Sequence, residues 1–65
     1  MKSKLEVARI VKGYNQTQFA RVIGISRGYL NEVESGRRVP SLKVMSSIGQ
    51  VLELPITKVM KMFNY

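Results

Sequence analysis

Residues 15–36, NQTQFARVIGISRGYLNEVESG, read as two short helices joined by a tight turn, with the rest of the chain as their support. Phe19, Ala20 and Ile23 recur at helical spacing, and Leu30 and Val33 open a second apolar stripe soon after, which predicts helices over about 16–23 and 27–35. Asn15, followed three residues later by Gln18, has the form of a capping box: the Asn oxygen accepts from a free backbone N–H and the Gln side chain reaches back. Gly24 supplies a left-handed backbone that ends the first helix, Ser26 caps the second, and Gly36 ends it. The small Ala20 lets the second helix come close to the first, so the two are expected to cross steeply.

That is a helix-turn-helix arrangement, whose second helix enters the DNA major groove with its N-terminal residues leading. The matching positions are Gln16, Phe19-Ala20, Gly24-Ile25-Ser26, Leu30, Val33-Glu34, Gly36 and, after two arginines, Pro40-Ser41. With Arg9 upstream and LPITKVM (54–60) downstream, the chain resembles the phage repressor and Cro (Xre-type) helix-turn-helix family over roughly residues 4–63. The resemblance implies an all-α, compact five-helix bundle of the lambda-repressor-like type that binds operator DNA, usually as a two-fold dimer.

Length and charge agree with that implication. Sixty-five residues predict one domain over 1–65, and a chain this short buries only about 60% of its unfolded surface. Eleven Lys and Arg against four acidic residues give a net charge of +7, the electrostatic footprint of a polyanion partner, although basicity alone is not diagnostic. The chain has no Cys and no His, which removes disulfides and the common zinc ligands. With so few carboxylates and no His to activate Ser26, an enzyme is not expected, and no cofactor or metal is implied. No apolar run approaches the ~20 residues needed to span a bilayer, and the N-terminus lacks a signal-peptide pattern. A cytoplasmic, nucleoid-associated protein is therefore expected.

Outside the central stretch, helix 1 is predicted from Ser3, where Ser3 and Glu6 form a capping box, to about Lys12 before Gly13. Leu5, Ala8 and either Val11 or Ile10 supply its inner face. Arg9 lies close to that face and needs a partner; Glu34, bordering the Leu30 and Val33 stripe, is the candidate. The resemblance implies a partly buried ion pair between these two, against the alternative of two solvated charges worth at most ~1 kcal/mol.

Pro40 prevents helix 3 from continuing, and Ser41 caps a helix 4 that runs to about Leu52 with Leu42, Met45, Ile48 and Leu52 as its buried stripe. Gly49 weakens that helix by roughly 1 kcal/mol relative to Ala, so close helix packing is expected there. Leu54, Ile56, Val59, Met60 and Phe63 make a short fifth helix over about 56–63. Glu53 stands where the family commonly has a helix-ending Gly, and Pro55 where it commonly has a capping Ser. Val51, Met62 and Tyr65 fit either a dimer interface or a fold-back over the small core.

For DNA, affinity is expected first from phosphates. The candidates are the start of helix 2 with Asn15 and Gln16, the Tyr29 hydroxyl, Ser35, Arg37 and Arg38, and Lys43. Base contacts are expected from Ser26, Arg27, Gly28, Asn31 and Glu32, with the Arg27 fork matching guanine O6 and N7. Gly28 departs from the family's usual small or polar side chain and lets the backbone approach DNA closely. Glu32 can accept from cytosine N4, or orient Arg27 or Asn31 and repel wrong sites.

These readings predict a bacterial or phage-type transcriptional regulator, a repressor binding double-stranded, pseudo-palindromic operator DNA as a homodimer with half-sites ~34 Å apart. Its control would lie in concentration or in a regulatory protein partner, or the chain is a fragment of a longer regulator. The competing reading is a protein-interaction module of the same fold, antitoxin-like or antirepressor-like, with weak or lost DNA binding. A membrane-surface peptide ranks last, because the charges are scattered over five segments.

Overall fold

Side-chain oxygens start four of the five helices in the computed structural model, which describes residues 2–65. The elements are α1 (Lys4–Val11), α2 (Gln16–Ile23), α3 (Arg27–Glu34), α4 (Leu42–Leu52) and α5 (Ile56–Met62). Ser3, Ser26 and Ser41 accept from the backbone N–H three residues on, at 3.1, 3.0 and 3.2 Å. Asn15 and Gln18 form the full reciprocal box at 2.8 and 3.0 Å. The Ser3 box is only half made: Glu6 turns its carboxylate toward Lys2 (3.5 Å) and Arg9 (3.8 Å) instead of the Ser3 backbone. Pro55 precedes α5 with no side-chain cap, consistent with its ring having nothing to accept with.

Left-handed residues end the helices. At Gly24 (φ 79°) the Ile25 N–H reaches back to Ala20 O at 2.9 Å and the Gly24 N–H to Arg21 O at 3.3 Å, a Schellman turn that sends the chain straight from α2 into α3. The end of α4 adopts the same form without glycine. Glu53 takes φ 58°, Leu54 N–H bonds Gly49 O at 2.9 Å, and the Glu53 carboxylate accepts from Lys12 Nζ at 2.6 Å.

Leu5, Phe19, Ala20, Ile23, Leu30, Val33, Met45, Ile48, Leu52 and Val59 form the buried core, with α2 packed on both α3 and α4, and α4 on α5. Gly49 sits where helices touch: a Cβ there would meet Leu54 O at 2.8 Å and Val59 Cγ2 at 3.4 Å.

Several expected core positions lie outside it. Ile10 is 46% exposed and Val11 80%, because on a wheel of ~100° per residue they fall ~140° and ~120° from Leu5. Arg9 occupies that inner edge instead. Leu42 is exposed, since the first residue of a helix projects its side chain backward beyond the core's edge. Ile56, first in α5, is exposed in the same way. Val51 and Met62 pack against the core while Tyr65 is exposed. No described helix is long and apolar enough to cross a membrane.

Candidate nucleic-acid interface

Packing of Leu30 and Val33 into the core leaves the opposite side of α3 on the surface. Ser26, Arg27, Gly28, Asn31 and Ser35 are all exposed there, and the Glu32 side chain is 44% exposed. The five residues expected to face bases therefore share one accessible strip. Gly28 meets nothing within 4 Å at its Cβ position and needs no positive φ, so the fold itself does not require a glycine there.

Beneath the strip lies a connected polar network. Arg9 Nε and Nη2 clasp both Glu34 oxygens, at 2.7 and 3.3 Å, and Arg9 Nη1 donates to Tyr14 O at 2.9 Å. Both residues are buried, 7% and 6% exposed, which realises the ion pair rather than the solvated alternative. Gln16 Nε2 adds a donor to Glu34 Oε1 at 3.1 Å, and Gln16 Oε1 accepts from Arg27 Nε at 3.3 Å. A continuous path thus runs from the α1 backbone corner through the buried pair to the tip of α3. Arg27 keeps Nη1 and Nη2 without a partner among the described residues, so the end of its fork is available to a ligand.

Gln16 reaches Arg27 and Glu34 because it is the first residue of α2, with α3 packed across it. This bridge is not visible in the sequence: the two partners lie 11 and 18 positions away on another helix, and no periodicity links them. Gln16 Nε2 keeps its second N–H without a partner among the described residues.

Of the roles expected of Glu32, the orienting one falls on a different residue. Glu32 orients neither Arg27 nor Asn31; its Oε1 accepts from Arg38 Nε at 3.2 Å. The Arg38 guanidinium in turn lies 5.5 Å from the centre of the Tyr29 ring, a cation–π distance, and Tyr29 is half-buried against the core. Arg37 and Lys43 are exposed. Asn15 and Ser26 use their oxygens as helix caps, and the Ser35 hydroxyl donates to Glu32 O at 3.0 Å. Among the described residues no cluster of acidic, Cys or His side chains is arranged for a metal ion.

The family model described as helix-turn-helix matches residues 5–59, from the first core leucine to the buried valine of α5. The chain belongs to the helix-turn-helix family. This is a non-enzymatic, DNA-binding kind of protein, and its lambda-repressor-like helical fold is the one described above.

Among its helix-turn-helix relatives, an uncharacterized HTH-type transcriptional regulator, YazB, of Bacillus subtilis (strain 168) is 37% identical over 51 residues, spanning 78% of this chain and 74% of the relative. The ImmF control region 10 kDa protein of Bacillus phage phi105 is 41% identical over 51 residues, 78% of this chain and 56% of that protein. The transcriptional regulator ClgR of Mycobacterium tuberculosis (strain H37Rv) is 36% identical over 56 residues, 86% of this chain and 50% of ClgR. The chain thus spans about three-quarters of the first of these and about half of the other two.

Proposed function

We propose that this protein is a transcriptional regulator, acting as a repressor, that reads double-stranded operator DNA with α3 in the major groove. The observation that carries the reading is Arg27: it stands exposed at the leading end of α3, tethered through Nε to Gln16, with the two Nη groups uncommitted among the described residues. A guanidinium fixed at its base and open at its fork matches guanine O6 and N7. Around it, Ser26, Gly28, Asn31 and Glu32 face bases, and Asn15, Gln16, Tyr29, Ser35, Arg37, Arg38 and Lys43 face phosphates on either side. The net charge of +7 supplies long-range attraction. The names of the three relatives, two regulators and a phage control-region protein, support a regulatory role.

A two-fold dimer would set its two α3 helices ~34 Å apart and make the operator pseudo-palindromic. Selection of bound duplexes from a random library, combined with the mass of the protein–DNA complex in solution, tests this. The expected result is a two-fold symmetric consensus bound by two copies, with a guanine preference in each half-site that Arg27→Ala abolishes. Failure to enrich any sequence, with negligible affinity for random duplex at low salt, would overturn it in favour of a protein-interaction module.

A further inference from the structure

Two of the residues facing DNA are already engaged with each other. Glu32 and Arg38 are joined at 3.2 Å, with side chains 44% and 55% exposed, on the same surface as Arg27 and Asn31. The guanidinium is also seated against Tyr29. In this position the Arg38 guanidinium is directed toward a carboxylate, which competes with a phosphate for its Nε–H. Glu32 is the acidic side chain of the α3 strip, 44% exposed, where DNA brings a dense array of negative charge.

We propose that Glu32 and Arg38 form a latch that suppresses binding to random DNA and opens at a cognate site. The inference rests on the DNA-reading function above and assigns discrimination to the pair as a unit. On arbitrary sequence, moving Arg38 onto a phosphate strands the Glu32 carboxylate beside the duplex with no donor, so the gain of one contact is offset by an uncompensated like charge. Where a base edge offers an amino group opposite Glu32, cytosine N4 or adenine N6, the carboxylate exchanges its guanidinium partner for that donor. Arg38 is then released to the backbone, and a single substitution of base changes two contacts at once. The Tyr29 ring, 5.5 Å from the guanidinium, offers Arg38 an aromatic face beside the carboxylate it leaves in this exchange.

The test compares Glu32→Gln with Glu53→Gln. Each raises the net charge by one and each breaks one surface ion pair, but Glu53 lies on the α4–α5 corner beside Lys12 rather than on the α3 strip. Binding to random-sequence duplex is measured over a range of salt for both variants and the wild type. Release of Arg38 by Glu32→Gln is expected to make the slope of log K against log salt steeper by ~0.9, one additional phosphate neutralised. Affinity for random duplex is expected to rise roughly 2- to 5-fold, the scale of one surface ion pair broken. Glu53→Gln is expected to leave the slope unchanged, and Arg38→Ala to abolish the effect of Glu32→Gln.

Equal effects of the two glutamine variants, or an undiminished effect of Glu32→Gln in the Arg38→Ala background, would overturn the latch while leaving DNA reading intact. Absence of salt-dependent wild-type binding would instead overturn the DNA-reading function beneath it.

Discussion

Glu34 sets which way Gln16 faces. Its Oε1 takes a hydrogen bond from Gln16 Nε2 at 3.1 Å, which turns the amide oxygen outward to accept from Arg27 Nε at 3.3 Å. A buried carboxylate thereby fixes an amide, and the amide fixes a surface guanidinium. Preorganisation of this kind strengthens the contact with a matching base edge by removing the ordering cost at the moment of binding. Gln16→Ala is expected to leave folding stability within about 1 kcal/mol, the net worth of a typical hydrogen bond, and to weaken the base preference assigned to Arg27. Competition between the selected duplex and its single-base variant measures this. Combining Gln16→Ala with Arg27→Ala should cost less than the sum of the two; full additivity would show that Gln16 does not act through Arg27.

The pair beneath it is structural. Arg9 and Glu34 are both buried and doubly bonded, so Arg9→Ala or Glu34→Ala each leaves a charge stranded in the core at a cost of roughly 3–5 kcal/mol. In so small a domain that is a large share of the total. Urea unfolding of both single variants and the double is the measurement, and the double is expected to be much more stable than the sum of single losses requires. Additive losses would mean that the two side chains do not interact energetically.

Two glycines should respond oppositely to the same substitution. Gly28 has open space at its Cβ position and Gly49 has Leu54 O at 2.8 Å. Gly28→Ala is therefore expected to stabilise the fold by about 0.5–1 kcal/mol through helix propensity, while lowering DNA affinity if the backbone there approaches the duplex. Gly49→Ala is expected to destabilise, because a backbone oxygen cannot yield as a flexible side chain does. Thermal unfolding of the two variants together with a DNA-binding measurement on Gly28→Ala checks both; stabilisation of Gly28→Ala with unchanged affinity would remove the close-approach role.

The Glu53 carboxyl is held below the usual carboxylate range by its hydrogen bond from Lys12 and by the lysine's charge. The pair's stabilisation is accordingly present above the ordinary carboxylate pKa and is lost as pH falls through the lowered folded value. NMR titration of the side-chain carboxyl should give a midpoint in the wild type below that in Lys12→Met. Any stability difference between the two proteins at neutral pH should vanish in strong acid. Coincident titration midpoints would show that the contact does not persist in solution.

Much of the fold could be read from residues 15–36 and their surroundings, because the determining signals are local. The Asn15–Gln18 box, the turn at Gly24 and the Ser26 cap are settled by contacts within a few positions of one another. Exposure of Arg27, Gly28 and Asn31 follows from the same periodicity that buries Leu30 and Val33. The Arg9–Glu34 pair was accessible through the resemblance and through the conflict of a charge on an apolar face, which demands a partner.

Periodicity failed at helix ends: Leu42 and Ile56 keep the apolar spacing yet lie outside the core, since a stripe says nothing of where the facing helix stops. The choice of partner for each long polar side chain was also a matter for the assembled molecule. Glu32 had Arg27, Asn31 and Arg38 within plausible reach along the chain, and Gln16 had no sequence neighbour that pointed to Glu34. Which contact forms depends on how α2 crosses α3 and where the segment after Gly36 returns, distances of a few ångströms that are set by the packing of Phe19, Leu30 and Met45. Helices, caps and the exposed face of α3 were thus written into neighbouring residues. The Glu32–Arg38 contact and the buried Arg9–Glu34–Gln16 relay required the tertiary structure, because hydrogen bonds are decided by separations in space that spacing along a chain does not encode.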